Sequence, residues 1–545
     1  MLKKRGSVCG KIIMSVFITI AVSFIVSCSG GTSFDVNIIE DHYRNYYEVF
    51  IYSFYDSNGD GIGDLKGVSE KLDYIRKQGE DNAKDSLNMG GIWLMPVFPS
   101  PTYHKYDVTD YCAIDEQYGT MEDFEELLNE CHKRKVALIL DLPVNHTSVE
   151  HPWFKEAVKY LGTLDSLDEA DESVCPYVSY YNFSPEKKTG YERLNDDIYY
   201  EARFWSGMPD LNLDNPAVRD EIKTIVKFWL DKGVDGFRLD AVTSYYTDDK
   251  RGNIEFISWL KDAVLSMDND AYLVGEAWEN RATYAEYYKS GMESFFDFDM
   301  AGPDGVIASA VKGNKGASSY GNALVTEEAL YASMNPGFVN APFYTNHDMA
   351  RSAGYYAYDD GSRTKLAGAL NLLCTGNAFI YYGEELGMKG SGKDENKRAP
   401  MQWGEDIEGM CKGPDDMDSF DMKFDALDKQ MEDEGSVWNY YRKALELRNT
   451  FPVIARGRTE LVEELSGDDV CVFTRSMEKE ESGEGFVPVL IAINCSEEAK
   501  DIDIKSSEAS GYKRLSFELN VSEDKVKYKS GKLTLPAFGA AVMTK

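Results

Sequence analysis

Eight short apolar runs, most followed by an amphipathic stretch, limit what this chain can fold into more than any other feature. They are "YYEVFIYSF" (46–54), "GGIWLMPVF" (90–98), "VALILDLPV" (136–144), "VDGFRLDAV" (234–242), "AYLVGEAW" (271–278), "ESFFDFDM" (293–300), "FVNAPFYTNHD" (338–348) and "NAFIYYGEEL" (377–386). Between them, "TMEDFEELLNECHKRK" sets Phe124, Leu127, Leu128 and Cys131 at helical spacing, and "PAVRDEIKTIVKFWLDKG" opens on Pro and closes on Gly. Buried strands alternating with helices in this number predict an α/β fold, a (β/α)8 TIM barrel. A doubly wound open sheet is the rival. It would want a Gly-rich phosphate turn after the first strand, where this chain has the acidic "YDSNGDGIGDLKGV" (55–68).

One connection is too long for a plain barrel. About seventy residues separate the third run from the helix opening at Asp214–Pro216, and a loop of that length is functional or a small domain of its own. It is rich in Tyr, Ser, Asp and Gly, as in "CPYVSYYNFSPEKKTGYERLNDDIYYEARFW", and reads as a subdomain inserted after strand 3. After "SVWNYYRKALELRNT" the pattern changes to short alternating segments: "RTELVEEL", "DVCVFTRS", "PVLIAIN", "KDIDIK", "KVKYKSGKLTL" and "GAAVMT". These predict a C-terminal antiparallel β-sandwich.

The N-terminus lies outside this scheme. Lys3, Lys4, Arg5 and Lys11 precede an apolar run from Ile12 to Val26, too short for a comfortable membrane span but right for the core of a signal peptide. The run closes on "IVSC", which resembles a bacterial lipobox and implies cleavage before Cys28 and lipidation of its thiol. An uncleaved N-terminal anchor is the alternative. The expected organisation is a lipoprotein signal peptide (1–27), a tether (28–44), a first barrel segment (45–143), an inserted subdomain (144–210), the remaining barrel (211–452) and the sandwich (453–545). The protein is then expected outside the cytoplasm on the bacterial cell envelope, touching membrane only through its lipid anchor, and as a monomer. Its 58 basic and 93 acidic residues give a net charge of −35, which disfavours nucleic acid as a partner. The cysteines that remain after residue 28 are odd in number and form no CxxC pair, so a zinc site is not expected and most should be buried thiols.

Polar residues gather where barrel enzymes keep their chemistry, at the C-terminal ends of the strands. "DLPVNH" gives Asp141, Asn145 and His146; "GFRLDAV" gives Arg238 and Asp240; "GEAW" gives Glu276; "TNHD" gives His347 and Asp348. One acidic residue at a strand end is commonly a helix cap, and one His is commonly structural. Acidic residues at four strand ends of one barrel point instead to retaining glycoside hydrolysis, in which one carboxylate attacks the anomeric carbon and a second carboxyl protonates the leaving oxygen. The 35 tyrosines suit a sugar-binding surface as well as ordinary packing.

These motifs resemble four sequence regions of the α-amylase family of glycoside hydrolases (family 13), and "MPDLN" (208–212) resembles the fifth. "YHKYDVTDYCAIDEQYGT" and "RAPMQW" are similar to further family stretches, so the resemblance runs from about residue 45 to the C-terminus. It implies that Asp240 is the nucleophile, Glu276 the general acid/base and Asp348 the transition-state stabiliser. It places His146, Arg238 and His347 around the sugar, Tyr106 stacked on its ring, His104 and Asp107 on the same subsite, and Arg351 close by.

The acidic loop could be a calcium sensor, a structural clip or a turn without metal. Asp56, Asn58, Asp60 and Asp64 hold the first, third, fifth and ninth places of an EF-hand-like loop, Gly61 the sixth, but Gly67 stands where a closing Glu belongs. Family members near the α-glucosidases carry such a loop after the first strand. The resemblance therefore implies a structural Ca2+, with the carbonyl of Ile62 as a further ligand.

"MPDLN" and Ala241 resemble the group intermediate between oligo-1,6-glucosidases and neopullulanases and lean towards α-1,4 bonds. There are departures from the pattern. Thr243 and Ser244 replace a usual Lys-His pair, which puts plus-subsite affinity and a second calcium near Asn145 in question, and Lys105 replaces a common Gly. The implied activity is α-amylase-like hydrolysis of α-glucans or maltooligosaccharides through a covalent glycosyl-enzyme. The alternatives are an exo-acting α-glucosidase, an oligo-1,6-glucosidase or a transglycosylase. A non-catalytic glucan-binding lipoprotein would be expected to lack one of the three carboxylates.

Overall fold

Each of the eight apolar runs holds a strand in the computed structural model, which describes residues 41–356, 358–404, 407–477 and 486–545. The signal peptide, Cys28 and most of the tether lie outside the described residues. The barrel strands are β1 (Tyr46–Val49), β2 (Gly91–Leu94) and β3 (Ala137–Leu142), then, beyond the insertion, β7 (Gly236–Leu239), β8 (Tyr272–Gly275), β9 (Ser294–Asp297), β10 (Ala341–Pro342) and β11 (Phe379–Tyr381). They pair in parallel in the order β10-β9-β8-β7-β3-β2-β1-β11. A parallel bridge between Phe343 and Phe379 joins the two ends of that row and closes the barrel.

The strands read as continuous apolar runs because they are buried on both faces. Inward-facing Tyr46, Trp93, Ile139, Tyr272, Val274, Phe296 and Phe379 fill the barrel, so it is a packed core and not a pore. Tyr46 sits at its axis, stacked on Tyr272 at 5.2 Å and on Phe379 at 4.9 Å. The flanking helices follow their sequence signals. Thr120 and Asp123 form a capping box for the helix Met121–Lys133, which buries Phe124, Leu127, Leu128 and Cys131. The helix Pro216–Lys232 is capped by Asn215 and ends at Gly233, whose φ of 98° suits a residue without Cβ.

The insertion after β3 has a core of its own. The helix Pro152–Leu161 packs Ala157 and Leu161 against Cys175, Val178 and Ile198. A small antiparallel sheet, β4 (Phe183–Ser184), β5 (Tyr191–Arg193) and β6 (Tyr199–Glu201), completes it. Bridges between His146 and Asp210, and between Tyr181 and Leu211, pin it to the end of β3.

The C-terminal region is two antiparallel sheets. β12 (Arg458–Leu461), β13 (Val470–Ser476), β14 (Val489–Asn494), β19 (Ala540–Thr544) and β16 (Arg514–Leu519) form one; β15 (Lys500–Asp503), β18 (Lys532–Leu535) and β17 (Lys527–Lys529) form the other. Val472, Leu490, Ile502, Leu533, Leu535 and Met543 pack in the core that the two sheets share. Sequence alternation missed β16, whose side chains are mostly half-buried and whose pairing with β19 is broken by a bulge at Leu515/Phe517. Of the seven described cysteines six are buried, and Cys112 is half-buried. No helix among the described residues is long and apolar enough to cross a membrane.

Candidate active site

Parallel register sets the site. Asp141 on β3 lies beside Arg238 on β7, and the next positions along β7 and β8 lead to Asp240 and Glu276 at the same mouth. Arg238 is buried and organises three carboxyl groups. Its Nη1 donates to Asp240 at 2.6 Å and to Asp141 at 2.8 Å, and its Nη2 meets Glu276 Oε1 at 2.8 Å. One guanidinium thus touches Asp240 and Glu276 together, which holds their carboxyl groups within its own width plus two hydrogen bonds. Arg238 was expected near the sugar, and the structure gives it three carboxyl partners.

Glu276 is buried, and its pKa is raised to about 7. Burial is the main cause; Arg238 opposes it, while Asp240 and Asp348 add to it. Its Oε2 accepts the amide N–H of Ala241 at 3.0 Å. Ala241 has a φ of 43°, an uncommon conformation for a residue with a Cβ, and the sharp turn aims this N–H back at the acid.

Across the mouth, His347 is held through both ring nitrogens. Nδ1 meets Glu48 at 2.6 Å, and Nε2 meets Asp348 at 3.1 Å and the hydroxyl of Tyr106 at 2.9 Å. These carboxylates outweigh the desolvation of the ring and raise the His347 pKa to about 10, so it is an imidazolium at neutral pH. Asp348 is also held by Arg398 at 2.8 Å. Its carboxylate is partly exposed at the mouth; partial desolvation opposes ionisation, but His347 and Arg398 overcome that and keep its pKa well below the usual carboxylate range.

The other expected residues divide. The Tyr106 ring lies over His347 at 5.6 Å, and its hydroxyl donates to Asp141 at 2.9 Å. His146 is buried under the Tyr106 carbonyl and beside Phe204. His104 has a pKa lowered to about 3 by burial and Arg398, so its ring is neutral. Asp107 faces the protein and not open space: it accepts Ser100 Oγ at 2.6 Å and the Thr102 hydroxyl. Arg351 needs a correction. It is buried with Nε on the Lys397 carbonyl and Nη1 on the Tyr382 carbonyl, stacked on Tyr381 and Tyr382, so it supports the strand ends from behind and does not reach into the mouth.

Sequence reasoning missed Glu48 and Arg398 as parts of the site. Glu48 was visible as an acid inside an apolar strand, and Arg398 opens "RAPMQW". An aromatic surface also borders the site. Trp278, two residues past Glu276, is 51% exposed and stacks on Phe298 at 4.8 Å, which in turn packs edge-on against Phe343 at 5.0 Å. Phe204 and Trp205 are exposed on the inserted subdomain.

In the acidic loop, Asp56 accepts the N–H groups of Asn58, Gly59 and Gly61, Asn58 accepts that of Asp60, and Asp60 accepts that of Ile62. Asp64 has a structural duty as well: it caps the helix Leu65–Glu70 through Gly67 N–H and binds Ser57. Lys412 Nζ sits 3.0 Å from the Asp60 carbonyl. Among the described residues no three His, Cys, Asp or Glu side chains group as a metal centre. The donors here include an amide and a carbonyl beside the carboxylates, an all-oxygen set that fits a hard dication.

Arg238, His347 and Arg398 face a cluster of carboxyl groups, Asp141, Asp240, Glu276, Asp348 and Glu48, that outnumbers them. A pocket in which carboxyl groups outnumber cations, with a carboxyl of raised pKa next to Asp240, is suited to a reaction that develops positive charge.

Comparisons with known proteins point to one family. The family model for the α-amylase catalytic domain matches residues 48–457. The chain is 41% identical over 460 residues to α-amylase 3 of Dictyoglomus thermophilum, covering 82% of this chain and 84% of that protein. It is 30% identical over 546 residues to an oligo-1,6-glucosidase of Heyndrickxia coagulans, covering 84% and 92%. The solved structure of Eubacterium rectale Amy13B superposes with a TM-score of 0.88 at 47% identity, covering 94% of this chain and 97% of that one.

Proposed function

The chain belongs to the α-amylase family of glycoside hydrolases, and on that premise we propose that it hydrolyses α-1,4-glucosidic bonds in starch-derived glucans and maltooligosaccharides with retention of configuration. The observation that carries this is Arg238, whose single guanidinium touches both the proposed nucleophile and the proposed acid. Retaining enzymes need these carboxyl groups about 5–5.5 Å apart, and groups that share one guanidinium leave little room to seat an inverting water.

Asp240 attacks the anomeric carbon as Glu276 protonates the glycosidic oxygen, and the aglycone leaves with a new hydroxyl. Glu276, now a carboxylate, takes a proton from water, whose oxygen attacks the anomeric carbon and releases Asp240. Asp348, kept ionised by His347 and Arg398, receives sugar hydroxyls in the −1 subsite, with Tyr106 as its floor and His104 and His146 at its edge. The α-1,4 preference rests on Ala241 and "MPDLN", together with the α-amylase relative.

Two further readings accompany it. Asp56, Asn58, Asp60, Asp64 and the Ile62 carbonyl hold a structural Ca2+ that fastens the turn after β1. Cys28 carries a lipid that anchors a monomeric enzyme to the bacterial envelope. The basic start, the short apolar core and "IVSC" support the anchor; the oxygen donors support the calcium.

The deciding experiment compares maltoheptaose with isomaltose at equal concentration, with NMR following the first-formed anomer. Faster cleavage of maltoheptaose with the α-anomer first is expected. A β-anomer as first product overturns retention, and faster attack on isomaltose moves the assignment to oligo-1,6-glucosidase.

A further inference from the structure

Among the described residues, 95–120 join β2 to the helix Met121–Lys133 with neither helix nor strand between. This connection carries His104, Tyr106 and Asp107. Irregular backbone has no ladder of its own bonds, so other contacts must set where those residues stand. The contacts converge on a buried ion pair that the proposed mechanism does not use, Lys105 Nζ with Asp115 Oδ2 at 2.8 Å.

Lys105 is buried, although it lies between two residues of the mouth. Its φ is 65°, in the left-handed region that suits glycine. A side chain held there is strained, and such strain persists where surrounding contacts over-determine it. Those contacts are present. Besides Asp115, Nζ donates to Gln117 Oε1 at 2.6 Å and lies over the Tyr118 ring at 5.5 Å. The ammonium is sunk in the protein, while the next side chain, Tyr106, carries its hydroxyl to Asp141 and His347, each at 2.9 Å.

Asp115 ties the rest of the loop to this anchor. Its Oδ2 also accepts the Ser100 N–H at 3.1 Å, its Oδ1 accepts the Gln117 N–H at 2.9 Å, and its own N–H donates to the Val97 carbonyl at 2.9 Å. Ser100 in turn donates its hydroxyl to Asp107 at 2.6 Å. His104 Nδ1 meets Thr102 Oγ1 and the Tyr106 N–H, each at 3.2 Å, both groups of the same loop. His104, Tyr106 and Asp107 therefore share one mooring.

We propose that Lys105 is a positioning residue for the −1 subsite: paired with Asp115, it fixes the loop that sets the Tyr106 ring and the His104 edge against the sugar. The inference rests on the glycosidase reading of that site. An ordinary buried ion pair serves stability alone. This one stands one residue from His104 on one side and one from Tyr106 on the other, so releasing its ammonium frees both from the same point. Asp240 and Glu276 are held from β7 and β8 by Arg238, so the loss falls on how the sugar is held and not on the reacting carboxyl groups.

The test uses the whole protein, well below the melting temperature of each variant. Lys105→Met removes the ammonium and leaves Asp115 buried and unpaired, which endangers folding. Lys105→Gly, at ease at this φ, and Lys105→Met combined with Asp115→Asn are therefore measured beside it. The readouts are kcat/KM on maltoheptaose, kcat/KM on α-glucosyl fluoride, whose sugar fills only the −1 subsite, and calorimetric affinity for 1-deoxynojirimycin, an iminosugar of the same shape. Each variant should lose about tenfold or more in kcat/KM on both substrates and weaken the iminosugar by a similar factor, the scale expected when binding groups are misplaced. The double variant should lose no more than Lys105→Met, because the two side chains act as one unit. Lower melting temperatures with wild-type kinetics and iminosugar affinity would make the pair structural only and overturn the proposal. A loss confined to maltoheptaose would overturn it too, by placing the effect beyond the −1 sugar. Wild-type protein that binds the iminosugar but leaves maltoheptaose uncut refutes the α-1,4 reading alone, and the iminosugar affinities of the variants still decide the role of Lys105.

Discussion

Replacing Glu276 by Gln should separate the two consequences of its raised pKa. The group ordinarily titrates at 4.5 and here at about 7. Between those values the folded protein keeps a proton that the unfolded chain has released. Stability therefore falls as pH rises through that window and is level above it. A difference of about 2.5 pKa units corresponds to about 3 kcal/mol at full effect, at 1.36 kcal/mol per unit. Glu276→Gln has no proton to lose, so calorimetric melting temperatures at pH 5 and pH 8 should differ less in the variant than in wild type, by the share this group contributes. The same proton serves catalysis: wild-type kcat/KM on maltoheptaose should decline on an alkaline limb near pH 7. The variant should lose about 10²–10⁴-fold on that substrate. On α-glucosyl fluoride, whose leaving group needs no proton, the glycosylation step should lose far less. An unchanged pH dependence of melting in the variant, together with equal losses on both substrates, would refute the assignment of Glu276 as a buried acid.

Asp240→Asn should abolish turnover and leave folding intact, since an amide cannot form the glycosyl-enzyme; wild-type rates on maltoheptaose would exclude the nucleophile role. Trp278→Ala should raise KM for maltoheptaose several-fold while sparing α-glucosyl fluoride, because the exposed ring lies just past the acid and offers a stacking face for the leaving sugar. Equal effects on both substrates would assign the ring to packing. A chelator should lower the melting temperature, calcium should restore it, and Asp60→Ala should shrink the difference; melting that ignores both treatments returns the loop to a metal-free turn. Intact mass of the envelope-associated protein should show residue 28 lipidated and residues 1–27 absent, and an unmodified Cys28 would exclude the anchor.

The eight strands were legible because burial on both faces leaves an unbroken apolar run, and polar residues at the ends of those runs marked the mouth. β16 was not legible: "RLSFEL" is half-buried against one neighbour and interrupted by a bulge, so no clean alternation survives. The carboxylates and His347 could be read from strand ends, but their partnerships could not. Arg398 reaches Asp348 from a loop fifty residues downstream, and Glu48 reaches His347 across 299 residues. Such contacts depend on barrel closure, which places β1 beside β11 and is a property of the whole sheet. Arg351 shows the reverse error. Its position close to "TNHD" suggested the sugar, whereas its two backbone carbonyl partners show that it braces the loop.

The chain enters β1 at Tyr46, on the pole away from Asp240, Glu276 and Asp348. A parallel barrel has a polarity, and here it puts the N-terminal entry and the catalytic carboxylates at opposite ends of the strands. Residues 41–45, which lead into β1, therefore stand at the opposite end of the strands from the opening where the carboxylates gather. Covalent geometry limits residues 28 to 40 to about 45 Å when fully extended. Were residue 28 the anchored end, as proposed, that span would bound how far the barrel could stand from its anchor, and products would be released within it.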